Sequence, residues 1–535
     1  MKRKFSSYGP IDTDIHYYVP RSSYINQACE QLLGETPEKG GHYFTVWAPR
    51  QTGKTWIFNQ TMFRLQDDER FYTIKIEMQI GAETFLGAAN FIISEINREF
   101  SLSIPEVESE KDFYSAFTDE YLSKPLILIL DEFDDLGEAA IRDMVRTFRN
   151  LYVNRNKESR SGFERRHRLH GLALMGVRSV MGVDNKKGSP FNVQRSMHIP
   201  NLTYDEVQSM YRWYEQDSGQ TVEPGVVDRL YYETNGQPGL VSWFGELLTE
   251  MYNENPEAPI TIGYWRKVFS RASQVLPNNT VMNISSKAQD PEYKETVLKL
   301  FQTSEKMQFS FDEPHLNYLY MNGVISYEEE TSEVDEVTSY AKFSSPFIQK
   351  RLFNRFSQEL FEDMQVTTKP FEDLSDSITE ESLDLKNTLM RYEHYLHANK
   401  HWLLKDAPRR VDGRVYEAFF HFNLYRFLSS FFDGYPLSVT PEFPTGNGKV
   451  DLLLQYKTQL YALELKSFSN RKKYQDALLQ AARYAKTLGL KEITLAVFMD
   501  YLDDNIRQQF EVPYYHPQSQ VQVNPVFVAI VQSAE

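Results

Sequence analysis

The sequence predicts an α/β protein of several domains, led by a parallel sheet flanked by helices. Three observations carry that expectation. Strand-like and helix-like segments alternate from about residue 43 to about residue 176. A Gly-Lys-Thr loop stands where the first strand passes into a helix. A second pair of short apolar strands, residues 448–468, carries charge where a buried strand should carry none. At 535 residues the chain exceeds what a single core can organise.

Taken in order, "HYFTVWAPRQTGKTWIFNQTMFRL" runs from a β-rich apolar segment through a loop into a helical pattern. The runs "FYTIKIEM", "PLILILDEF" and "GLALMGV" read as further strands, with "FLGAANFIISEINREF" and "AAIRDMVRTFRNLYVNR" as helices between them. From Thr203 to about Lys287 the pattern turns helical. Residues 290–356 read helix, helix, helix, short hairpin, helix, which is a winged-helix order. "EDMQVTTKPFEDLSDSITEES", 362–382, is acidic and Ser/Thr-rich with one proline, the composition of a linker. The expected domains are therefore 1–202, 203–287, 288–360, a linker at 361–388, and 389–535.

Composition narrows the function. Cys29 is the only cysteine, which excludes a disulfide framework and a cysteine zinc cluster. "MKRKFSSYGPIDTD" has basic residues but no apolar run after them, and no later stretch is long and apolar enough to span a bilayer. The expectation is a cytoplasmic protein with no membrane partner. The net charge of −16 is unevenly spread: Arg391–Glu535 holds 17 Lys and Arg against 15 Asp and Glu, so the first 390 residues carry −18. A polyanionic partner fits the C-terminal quarter better.

"APRQTGKT", 48–55, has the form of a phosphate-binding loop with Ala48 in place of the first glycine. Such a loop surrounds a β-phosphate with backbone N–H groups at a helix N-terminus. Its lysine reaches the β- and γ-phosphates and its hydroxyl serves Mg²⁺. The residues expected around ATP are Pro49, Arg50, Gln51, Thr52, Gly53, Lys54 and Thr55. "PLILILDEF" ends in Asp131-Glu132, one acid to hold the Mg²⁺ shell with Thr55 and one to orient the attacking water. A strand followed by this loop, then an apolar strand ending in two acids, is the context a nucleotide site requires.

This region resembles the AAA-like ATPases of the branch near the STAND and origin-recognition proteins. The marks are "YYVPR" (17–21), "PRQTGKT", "LILDEFD", "MGVRS" (175–179), "SPFNV" (189–193) and "NGQPGLV" (235–241). The resemblance implies that Tyr18 to Arg21 lie near the adenine. It also implies that Arg178 or Ser179 takes a sensor position, and that Gly236, Gln237 and Pro238 of a helical lid close over the base. Pro238 reads equally as a plain turn between helices. An arginine acting in trans is expected of such sites, with Arg195 and the arginines of 160–168 as candidates, and with it a homo-oligomer formed on ATP binding.

The two charged strands are "KVDLLL" and "YALELK". Alternation puts Glu464 and Lys466 on one face. If the strands pair as a hairpin, Asp451 approaches Glu464, and two converging carboxylates can hold Mg²⁺ through oxygen ligands. Bound metal polarises a phosphodiester and acidifies water, while Lys466 steadies the developing charge. An edge hairpin with a surface ion pair is the plainer alternative. Against it stand an aromatic-rich helix with the single acid Glu417 (414–432) and a helix with Gln480 and Tyr484 on one face (477–490). Arg471, Lys472 and Lys473 lie in a turn, where they could also touch phosphates.

Helix with Glu, strand with Asp, strand with Glu-x-Lys, helix with Gln-x-x-x-Tyr: residues ~390–530 resemble the PD-(D/E)XK nuclease superfamily, and thus a restriction-endonuclease-like α/β fold. The likeness is greatest to the modules fused behind AAA-like ATPases in bacterial proteins of uncharacterised or defence type. It implies Asp451 and Glu464 as metal ligands, Lys466 as the catalytic lysine, Glu417 as an accessory acid and Gln480 as the fourth-motif residue. Val450 precedes the Asp where the superfamily's name has proline. The expected activity is ATP-gated, Mg²⁺-dependent cutting of nucleic acid, DNA rather than RNA. The other reading is a STAND-like signalling or scaffold ATPase whose C-terminal domain binds nucleic acid or protein without cutting.

Overall fold

The computed structural model describes residues 3–49, 51–158, 165–176, 195–302, 306–331, 337–360, 374–403, 417–432, 435–442, 451–468, 470–499, 502 and 504–530. They fall into two compact units: Met1–Ile284 with Phe311–Ile325, and Ser285–Ser310 with Ser326–Glu535.

In the first unit β1 (Tyr43–Trp47), β2 (Tyr72–Glu77), β3 (Leu126–Asp131), β4 (Leu169–Gly176) and β5 (Arg195–His198) form a sheet in the order β2-β3-β4-β1-β5. Every pairing is parallel. The strands therefore end on a common edge, where ligands of open α/β sheets bind. β4 is inserted between β1, which leads into the phosphate loop, and β3, which carries the two acids.

The helices α1 (Ser22–Leu33), α2 (Lys54–Gln66), α3 (Phe85–Phe100), α4 (Glu110–Ala116) and α5 (Glu138–Lys157) cover both faces. Ile127 and Ile129 of β3 pack toward Ile25, Leu32, Ile57 and Phe58 of α1 and α2. The intervening Leu126, Leu128 and Leu130 pack toward Ile92 and Ile96 of α3 and Met144 and Phe148 of α5. The period-2 alternation of one wholly buried strand thus feeds two cores.

Four helices follow, α6 (Tyr204–Ser218), α7 (Pro224–Thr234), α8 (Pro238–Glu246) and α9 (Ile262–Gln274), then α10 (Asn279–Ala288). A capping box of Thr203 and Glu206 opens α6, and prolines open α7 and α8, where a missing N–H costs nothing. Next come α11 (Lys294–Gln302), α12 (Pro314–Met321), the hairpin β6 (Ile325–Thr331) and β7 (Val337–Phe343), and α13 (Pro346–Leu360).

The second unit continues with α14 (Leu385–Leu403), α15 (Glu417–Phe431), β8 (Leu437–Glu442), β9 (Asp451–Tyr456), β10 (Gln459–Ser467), α16 (Arg471–Thr487), β11 (Glu492–Met499), α17 (Asp504–Phe510), β12 (Tyr514–His516) and β13 (Val521–Ala529). Its sheet runs β12-β13-β11-β10-β9-β8. β8, β9 and β10 are an antiparallel meander, whereas β11 is parallel to both β10 and β13. Ala481, Ala482 and Ala485 let α16 sit close over Leu495, Val497 and Val523. The opposite face holds Phe498 against Phe420 of α15 and Tyr392 of α14.

Two local expectations are corrected. The end of the expected linker, 374–388, is packed rather than free: Tyr456 Oη donates to the Thr379 carbonyl at 2.9 Å, and Leu383 N–H to Tyr461 Oη at 3.0 Å. Leu374, Ile378 and Leu383 supply the buried anchors that an acidic composition hid; residues 361–373 lie outside the described ones. Arg471, Lys472 and Lys473 form the first turn of α16 instead of a loop, because Asn470 caps it by accepting from Lys473 N–H at 2.9 Å. Among the described residues no helix is long and apolar enough to cross a membrane.

Candidate functional sites

β1 is buried between two parallel neighbours, which fixes where the chain emerges at Ala48. Gly53 then caps α2 with φ 90°, a region L side chains rarely adopt, although a Cβ there would meet nothing within 4 Å. The glycine is required by backbone conformation, not by space. Lys54 opens the helix, and its ammonium donates back to the Ala48 and Pro49 carbonyls at 2.6 and 2.9 Å. Thr52 Oγ1 donates to the Pro49 carbonyl at 2.9 Å.

The loop is also held from the helical segment. The Gln51 carbonyl accepts from Gly239 N–H at 3.3 Å and from Gln237 Nε2 at 3.4 Å. Gln51 Oε1 accepts from the Thr280 hydroxyl. A Cβ on Gly239 would stand 2.2 Å from Gln51 Oε1, so a side chain there would force the Gln51 amide to move. Pro238 thus lies in the helical turn seated on the loop. Tyr18 packs edge-on against Trp56, just past Thr55, and against Trp213 of α6. Arg21 is buried and donates to the Pro200 carbonyl at 2.9 Å. Arg50, Arg178 and Ser179 lie outside the described residues, as does the Arg195 side chain. Of the other arginine candidates, Arg165 donates to the Lys39 carbonyl at 2.9 Å.

Asp131, at the end of β3, is 3% exposed, and Glu132 beside it is exposed. Asp131 Oδ1 accepts from Glu132 N–H at 3.0 Å, while Oδ2 is 3.1 Å from the ammonium of Lys75 on β2. A carboxylate and the Thr55 hydroxyl are oxygen donors of the kind Mg²⁺ takes beside nucleotide phosphates, so the residues fit that ion. Lys75 was not expected from the sequence.

In the second unit the register is the central fact. Asp451 on β9 pairs directly opposite Glu464 on β10, and Glu442 on β8 pairs directly opposite Asp451. The register thus sets three acidic positions in one row across three adjacent strands. Glu464 is 0% exposed and meets the Lys466 ammonium at 3.1 Å. β9 and β10 are inner strands, which overturns the edge-hairpin alternative. The side chains of Glu417, Glu442 and Asp451 lie outside the described atoms. Gln480 and Tyr484 are half-buried on α16, which covers the sheet face shared by Glu464 and its neighbour Leu495.

α15 contributes an unexpected residue, His421, one turn beyond Glu417 and 2% exposed. Burial and the Lys466 charge push its imidazole down to about 3, so the ring is neutral at physiological pH. Glu442 was overlooked because it lies in "TPEFP", between prolines; only the pairing of β8 with β9 exposes its place. Among the described residues no three His, Cys, Asp or Glu side chains form a metal cage.

Residues 6–253 match the family of the AAA-like domain. This part of the chain is AAA-like. Solved structures similar to the chain include the ORC1 protein of Aeropyrum pernix in complex with DNA, at 14% identity over 63% of this chain and 92% of that one, TM-score 0.33. Cdc6p of Pyrobaculum aerophilum has 14% identity over 65% and 96%, TM-score 0.34. A Walker-type ATPase of Pyrococcus abyssi has 12% over 65% and 99%, TM-score 0.39. Scores this low bear on neither activity nor ligand. No curated protein matches the chain. The AAA-like domain contains the whole of the phosphate loop, both acids of β3 and the Gly236–Pro238 turn; the matched span ends before α9.

Proposed function

We propose that the chain joins an ATP-binding and ATP-hydrolysing AAA-like domain to a Mg²⁺-dependent nuclease of the PD-(D/E)XK type that cuts DNA. The observation that carries the nuclease reading is the pairing of Asp451 with Glu464 on two inner strands, with Lys466 on the buried carboxylate. α15 with Glu417, β9 with Asp451, β10 with Glu464 and Lys466, and α16 with Gln480 follow in the order that the resemblance requires.

Mg²⁺, when bound, would polarise phosphate oxygens at both sites. In the AAA-like domain Lys54, now donating to the Ala48 and Pro49 carbonyls, would serve the β- and γ-phosphates, Thr55 and Asp131 would hold the ion, and Glu132 would orient the attacking water. In the second unit Asp451 and Glu464 would hold the ion, Gln480 lies on the helix that covers their face, and the resemblance gives Glu417 of α15 the part of accessory acid. Lys466 neutralises charge on the scissile phosphate as water attacks phosphorus and a P–O ester bond breaks. ATP assembles copies of the chain by recruiting an arginine in trans.

The test is supercoiled plasmid incubated with the purified full chain in Mg²⁺ or EDTA, with and without ATP, beside an RNA of equal mass. Nicking that needs Mg²⁺ and spares RNA supports the reading. Intact plasmid under every condition supports a signalling ATPase with a non-cutting C-terminal domain.

A further inference from the structure

We infer that Lys75 is a positioning residue that serves as a built-in counter-cation of the nucleotide site and sets how much Mg²⁺ the site requires. The inference rests on the nucleotide reading of the loop and of Asp131.

Lys75 stands two residues before Glu77 on β2, and Glu77 pairs with Asp131 of β3 in parallel register. Period-2 alternation therefore puts Lys75, Glu77 and Asp131 on one face. That face packs under α2, the helix that starts at the phosphate loop: Ile129 of β3, directly paired with Lys75, shares a core with Ile57 and Phe58 of α2. The Lys75 side chain is 6% exposed, and its ammonium lies 3.1 Å from Asp131 Oδ2 and 3.3 Å from Glu77 Oε1. Glu77 is 70% exposed and well solvated, so it contributes little. The buried partner, Asp131, is what keeps a charged lysine in this interior.

Both oxygens of Asp131 are thus engaged, Oδ1 with Glu132 N–H and Oδ2 with Lys75. The carboxylate that would hold the shell of a divalent ion is already neutralised by a fixed monovalent one. An ion arriving with nucleotide must share Asp131 with the ammonium and is repelled by it. One unit charge within a few ångströms shifts a proton equilibrium by ~10- to 1000-fold, and a divalent ion responds at least as strongly. A plain structural ion pair joining β2 to β3 would instead leave Mg²⁺ affinity untouched.

The experiment titrates Mg²⁺ into the full chain saturated with a fluorescent ADP analogue, for wild type, Lys75→Met and Lys75→Arg. The melting temperature is followed in parallel without nucleotide, in EDTA and in Mg²⁺. Lys75→Met should move the Mg²⁺ midpoint about tenfold lower. Its melting temperature should fall in EDTA and recover in Mg²⁺, because the ion replaces the lost cation on Asp131. Lys75→Arg should follow wild type in both measurements. If Lys75→Met does not fold, Lys75→Gln, which keeps a donor, carries the titration under the same expectation. Equal midpoints in wild type and the neutral variant overturn the role of Lys75 alone. Wild type that binds no nucleotide at any Mg²⁺ concentration overturns the nucleotide reading, and this inference with it.

Discussion

His421 should make the second unit sensitive to mild acid. In the folded chain its imidazole is pushed down to about 3 by burial, then by Lys466, from an ordinary value of 6.5. The unfolded chain therefore binds a proton that the folded one refuses at every pH between those values. Stability is full above pH 6.5 and falls as pH drops below it, with a slope that approaches ~1.4 kcal/mol per pH unit. Integrated from pH 8 to pH 5, the loss due to this one residue is about 2 kcal/mol. Other groups titrate in the same range, so the informative quantity is a difference of differences. His421→Leu removes the proton site, and the variant should lose about 2 kcal/mol less than wild type between pH 8 and pH 5. The assay is urea unfolding of the full chain in EDTA, followed by hydrogen exchange in peptides from α15 and β10. A variant with the same pH dependence as wild type would show that the imidazole is not held neutral beside Lys466.

Other outcomes follow from the AAA-like domain. Lys54→Ala removes the ammonium expected on the β- and γ-phosphates and should weaken ATP binding by about 10–100-fold, whereas Glu132→Gln should leave binding intact and stop turnover; filter binding and phosphate release separate the two. Gly53→Ala should cost about 1–2 kcal/mol, all of it backbone, since its Cβ meets nothing; an unchanged thermal melt would contradict the left-handed cap. ATP, more than ADP, should raise the mass seen by light scattering, and a constant monomer mass would count against an arginine acting in trans.

Features set by local physics were legible in the sequence. The phosphate loop was, because a strand, a tight loop and a helix N-terminus are specified within one short stretch. The acids of β3 were as well, since five apolar residues before them announce a buried strand. Residues whose meaning depends on a neighbouring strand were not. Lys75 reads as an ordinary charge in "YTIKIE" until β2 is seen to pair with β3. Glu442 has no context of its own, and His421 is one polar letter in an aromatic helix. The insertion of β4 between β1 and β3 is likewise invisible, because no residue records which strand it will lie beside. Asn470 at the head of α16 is a local cap signal, set beside three basic residues that read equally as a solvated turn.

The pairing of Asp451 with Glu464 is tested most directly by plasmid nicking in Mg²⁺ or Mn²⁺, with wild type beside Asp451→Ala, Glu464→Ala and Lys466→Ala. If the two carboxylates hold one ion, each single variant abolishes cutting and the double Asp451/Glu464 variant is no worse than either, since groups that act as a unit do not add. ATP binding by all of them should be unchanged. Wild type that cuts, accompanied by Asp451 and Glu464 variants that cut equally well, would mean that the row of acids across β8, β9 and β10 serves the sheet and not the phosphodiester bond.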